Sequence, residues 1–155
     1  MNAEAAAKMD RPILLLLTGD NCSQAVQAAF EHAKSTSKRL RAIQILTSDL
    51  YHYGYHDLIA TRPSKRQFLV HIREEVLEHG KAEAQALENR AHEMGVSLDV
   101  ETIESEDIFS TSLAEVKKGC AIVFLPKQGK KLFPLFKTTL AAYLKKRISS
   151  EIVSC

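Results

Sequence analysis

Two short, wholly apolar runs constrain this chain more than anything else in it. Ile13–Leu17 reads Ile-Leu-Leu-Leu-Leu, and Ala121–Leu125 reads Ala-Ile-Val-Phe-Leu. A strand with one wet face alternates apolar and polar residues. A strand with no polar face has to be covered on both sides, which is the situation inside a parallel sheet. Neither run approaches the roughly 20 residues needed to span a bilayer. The segment before the first run, Met1–Asp10, is mixed in charge and unlike a signal peptide. No membrane association and a cytoplasmic location are therefore expected.

The stretches between these runs fit helices and further strands. After Thr18-Gly19-Asp20-Asn21, Val26, Ala29, Phe30 and Ala33 form one stripe of a helix over about 22–36, with Asp20 or Asn21 as its cap. Leu40–Thr47 reads as a second strand with Ile43 and Ile45 inside. A long aromatic connection, Tyr51–Arg62, leads to a long helix after Pro63, with Ser64 as cap. Phe68, Ile72, Val76, Ala84, Leu87, Ala91 and Met94 define its buried stripe, and Gly95 ends it. Arg73, Glu74, Glu78, Lys81, Glu88 and Arg90 mark its solvated face. Val96–Ile103 is a third strand, with Val96, Leu98, Val100 and Ile103 inward. Asp107–Lys118 is a helix closed by Gly119. After the second apolar run, Lys137–Arg147 is a last helix and Glu151–Ser154 a last, short strand.

Strands that alternate with helices imply a single α/β domain with a doubly wound, five-stranded, Rossmann-like parallel sheet and helices on both faces. The 155 residues suit one such domain over 11–155, with 1–10 a flexible leader. Ligands of such sheets lie beyond the carboxyl ends of the strands, where strand order reverses. That points to the loops after the first and fourth strands. The charge balance, 21 basic against 19 acidic residues, excludes a binder that grips nucleic acid through excess positive charge. The three cysteines, Cys22, Cys120 and Cys155, have no metal-type spacing and read as reduced thiols.

The element order, the long second crossover and two local strings resemble the universal stress protein family. The strings are Leu113-Ala-Glu-Val-Lys-Lys-Gly-Cys-Ala-Ile-Val-Phe-Leu and the opening apolar run followed by Thr-Gly-Asp. The resemblance implies an adenine nucleotide alpha-hydrolase-like fold and makes Thr18, Gly19 and Asp20 the adenine-side loop. Members that bind ATP carry a loop of Gly, two residues, Gly, nine residues, Gly, then Ser or Thr. Its glycines let backbone N–H groups approach phosphates. Here Pro126 stands at the first position, Gly129 at the second, and Thr139 with Leu140 at the last two; a one-residue deletion would place Thr138 and Thr139 there. Thr18 also stands where such members resemble Asp. The phosphate loop is thus degenerate.

The cofactor-binding candidates are Thr18, Gly19, Asp20, Pro126, Gly129, Lys130, Thr138 and Thr139. No cofactor is expected to bind tightly, ATP included, and no metal. His52, His56 and Asp57 in the string Tyr51–Asp57 lack a spacing that converges on a metal, and His71, His79 and His92 form no i, i+4 ligand pair. Lys127, Lys130, Lys131 and Lys137 make a basic cluster around Gly129, and any bound anion is expected at Gly129, Lys130 and Thr138–Thr139. Ser110, Thr111 and Ser112 read as local caps. No nucleophile stands in an elbow context, so an enzyme is not expected. The resemblance implies a non-catalytic regulatory or binding module, homodimeric through the last strand at Ile152 and Val153; because that strand is short, Phe124, Leu125 and the loop to Phe136 are expected to add contacts. The alternatives are an ATP-binding stress protein with slow or no hydrolysis, and an adaptor for a transporter or kinase partner.

Overall fold

The computed structural model describes residues 10–18, 22–46, 62–127 and 139–155. Five strands form one parallel sheet: β1 (Ile13–Thr18), β2 (Leu40–Leu46), β3 (Leu98–Glu104), β4 (Ile122–Leu125) and β5 (Glu151–Ser154), in the order β3-β2-β1-β4-β5. The two apolar runs supply β1, the middle strand, and its neighbour β4, and every residue of both strands is buried. The chain winds outward from β1 to β3, then returns to β4 on the other side of β1. The order therefore reverses between β1 and β4.

Right-handed crossovers send the first two helices to one face and the last two to the other. α1 (Ser23–Thr36) and α2 (Arg62–Met94) cover one face. There Leu15, Ala29, Phe30, Leu40, Ala42 and Ala91 form the core. α3 (Ile108–Lys117) and α4 (Leu140–Lys145) cover the other, over Leu14, Leu16, Ile43, Val123 and Leu144. Alternate residues of β1 serve opposite cores, which is why no polar residue interrupts its buried run.

Boundaries moved where a local choice outranked the pattern. The N-cap of α1 is Cys22, without a side-chain cap bond; Asp20 and Asn21 lie outside the described residues. α2 begins at Arg62, so Ser64 sits in its first turn and is not its cap. Arg90 is not on the solvated face: its guanidinium covers the Phe30 ring at 5.4 Å, burying the stem while the charge stays wet. β3 starts two residues later than its pattern, because Gly95 (φ 68°) turns the chain and Val96 plugs the turn. α3 is capped by Asp107, whose Oδ1 accepts the Ser110 N–H at 3.1 Å. α4 is a short helix, beginning at Leu140 and not at Lys137. Met1–Met9 and most of Tyr51–Arg62 lie outside the described residues.

Two polar groups inside the layers went unrecognised in the sequence. Gln44, in mid-strand, donates to Glu83 Oε2 of α2 at 2.9 Å and accepts from the Thr102 hydroxyl at 3.1 Å. On the other face Arg41 Nη2 donates to Glu115 Oε2 at 2.7 Å and Glu101 Oε2 at 2.9 Å. Lys118 Nζ reaches the other Glu115 oxygen at 2.8 Å.

Candidate functional site

The carboxyl ends of β1 and β4 are adjacent, so the structure brings Thr18 and Pro126 to the switch point where the loops were expected to meet. Thr18 is the last residue of β1, buried and in register with Ile45. It offers a hydroxyl where the resemblance expects an adenine-side carboxylate.

Pro126 is buried directly after β4. The Leu125 carbonyl accepts the Cys155 N–H at 3.0 Å, and the Lys127 N–H donates to the Cys155 carbonyl. Both neighbours of Pro126 thus face β5. In a parallel ladder successive residues face opposite sides, so residue 126 faces β1 and the cleft. The resemblance sets the first glycine of a phosphate loop at this position, and proline lacks its N–H.

At the far end of the loop, Thr139 is the N-cap of α4. Its Oγ1 accepts the Ala142 N–H at 3.2 Å, and its carbonyl takes the Tyr143 N–H at 2.9 Å. The hydroxyl is committed to the donor that an anion would use. Leu140 follows, with no exposed surface, where a phosphate-binding loop wants a hydroxyl residue. Gly19, Asp20, Gly129, Lys130 and Thr138 lie outside the described residues, as do Lys131, Lys137 and the string Tyr51–Asp57. Of the basic cluster Lys127 is described, and it is exposed.

A cavity that sequence reasoning missed opens beside this edge. It holds about 760 Å³ between α1 and α2, over the ends of β1 and β2. Leu17, Val26 and Ile45 line its floor, and Gln44 and Glu83 part of its wall. Its cause is the length of α2: 33 residues extend about 50 Å, against about 23 Å for a seven-residue strand. Gly80 already meets Leu46, the last residue of β2, so the turns before it stand past the sheet. Gly80 inside a helical pattern was the available signal.

Among the described residues no three His, Cys, Asp or Glu side chains gather as metal ligands, and no helix is long and apolar enough to cross a membrane. Cys120 is buried, and burial pushes its thiol above the ordinary value.

No family model matches the chain, and no curated protein is significantly similar in sequence. Solved structures do match. A universal stress protein family member from Burkholderia pseudomallei superposes with a TM-score of 0.64 at 19% identity, covering 95% of this chain and 96% of its own. UspA from Lactobacillus plantarum gives 0.64 at 15%, covering 94% and 97%. A family protein from Arabidopsis thaliana with AMP bound gives 0.58 at 13%, covering 92% and 90%. Further matches are complexes with cAMP and with dAMP. The chain has the fold of the universal stress proteins, over nearly its whole length.

Proposed function

We propose that this protein is a universal stress protein-like regulatory or binding module that carries out no chemistry of its own, binds ATP weakly or not at all, and works as a homodimer paired through β5. The observation that carries this reading is Pro126, turned into the β1–β4 cleft without the N–H that a phosphate needs there. Thr18, the committed hydroxyl of Thr139 and the buried Leu140 support it from the other sides of the cleft. The buried Cys120, its thiol held protonated by desolvation, is a poor nucleophile. Isothermal titration with Mg-ATP tests the reading. The expected dissociation constant is no tighter than about 1 mM, or about −4 kcal/mol. A micromolar value overturns it.

A second reading, binding of an adenine nucleotide with fewer phosphates, is favoured by the AMP, cAMP and dAMP in matching structures. Such ligands ask less of the glycine loop. Saturable AMP binding beside failed ATP binding would select it.

A further inference from the structure

A second concavity lies at the opposite, amino edge of the sheet. It holds about 600 Å³ between the end of α1, the turn after α2 and the approach to β1. Arg11, Lys34, Lys38 and Arg39 stand around it against one carboxylate, Asp10. The whole chain has a formal net charge of only +2. This notch therefore concentrates more net positive charge than the entire molecule carries.

Arg41, Arg73 and Lys118 elsewhere are ion-paired. None of the four notch cations has an ion pair among the described residues. Compensation of helix dipoles does not account for all four. Two helix C-termini meet here, and each carries roughly half a negative charge. Together with Asp10 they offset about two of the four cations, leaving about two unmatched.

The backbone that presents these charges is fixed. Ser37 closes α1 in the left-handed conformation (φ 52°), and the Lys38 N–H donates to the Ala33 carbonyl at 3.2 Å. Arg39 is held through its carbonyl by the Ile13 N–H at 2.9 Å, and the facing turn by Leu40 N–H to the Ser97 carbonyl at 2.8 Å. The exposed Ser37 and Ser97 add hydroxyl donors to the lining.

We propose that this notch binds a compact oligophosphate anion. Two guanidinium groups match phosphate oxygens in pairs, and two ammonium groups supply point charge. The unmatched charge calls for a ligand with more than one negative charge, and the volume is that of a small-molecule site. The site lies a full strand length, roughly 20 Å, from the β1–β4 cleft, so it stands or falls apart from the ATP reading.

The probe is inorganic tripolyphosphate, titrated calorimetrically into the full chain. Saturable binding is expected at about 50 mM salt, weakening several-fold by about 300 mM as the Debye length shortens. Lys34→Glu with Arg39→Glu should weaken it by about tenfold or more, and Lys34→Gln with Arg39→Gln by less. Arg66→Glu with Lys81→Glu, two exposed positions on α2, makes the same change in net charge away from the notch and should leave binding intact. Failure to bind tripolyphosphate overturns the proposal. Equal loss in the distant pair overturns it in favour of diffuse attraction, and equally tight citrate binding overturns the phosphate assignment.

Discussion

Glu115 and Asp107 show how differently one carboxylate and another act within ten residues of chain. The Glu115 side chain is 6% exposed and is held by Arg41 and Lys118, whereas Glu101, the other partner of Arg41, is 48% exposed. Removing one member of a buried pair strands the other charge. Glu115→Ala should cost about 2–4 kcal/mol, at the lower end because Arg41 keeps Glu101. Glu101→Ala should cost about 0–1 kcal/mol, as an exposed pair does. Urea unfolding of both variants checks the order, and equal costs would contradict it. Asp107 acts through its cap. The Ser110 hydroxyl beside it and the Ser110 N–H it accepts hold its carboxyl below the ordinary 3.8. A depressed carboxyl stabilises the fold above its unfolded value and loses that contribution as pH falls through the folded one. Asp107→Ala should therefore cost about 1 kcal/mol near neutrality. The gap to wild type should narrow progressively below about pH 4. Neither role was legible from residue type: Glu115 reads as an ordinary solvated helix charge until Arg41 of a distant strand is placed beneath it.

At the scale of elements, every strand was legible, because a run such as Ile13–Leu17 or an alternation such as Leu98–Ile103 records its own burial. Helix ends were less so. Ser64 is a good cap residue by type, yet α2 starts at Arg62, two residues before it. Gly80 was the informative residue left unread. A Cβ there would stand 2.8 Å from Leu46 Cδ1 and 3.5 Å from Gln44 Oε1, so the glycine sets how closely α2 approaches β2. Alanine gains about 1 kcal/mol of helix propensity, and the clash meets the movable end of Leu46. Gly80→Ala should thus be close to neutral. Gly80→Val adds two methyl groups to the same space and should destabilise by about 1–3 kcal/mol, as overpacking does. Thermal unfolding separates the two; a stable valine variant would mean that α2 can lift from the sheet.

For the whole molecule, right-handed crossovers leave few strand orders, and the loops after the first and fourth strands were expected at the reversal, which the order β3-β2-β1-β4-β5 places between β1 and β4. Two of the contacts expected to support a dimer were misjudged. Phe124 and Leu125, expected to add contacts to a dimer, are buried within the chain at 4% and 1% exposure and cannot serve a partner. Ile152 and Val153 are also committed, one to each core. What β5 has left to offer is its outer backbone edge. Cys155 points its N–H and carbonyl at β4, so by alternation Ser154 points its own outward. An unpaired edge of this kind invites a second strand, and a two-fold axis lets a second copy supply it. Ser154→Pro removes an outward donor and leaves the β4–β5 ladder untouched, a substitution that an edge strand tolerates. Light scattering at micromolar concentration should give about twice the 17.3 kDa chain mass for the wild type. The proline variant should shift toward one chain mass with an unchanged circular dichroism spectrum. A dimer that survives the proline would assign the interface to another surface, since no strand pairing at this edge can keep that bond.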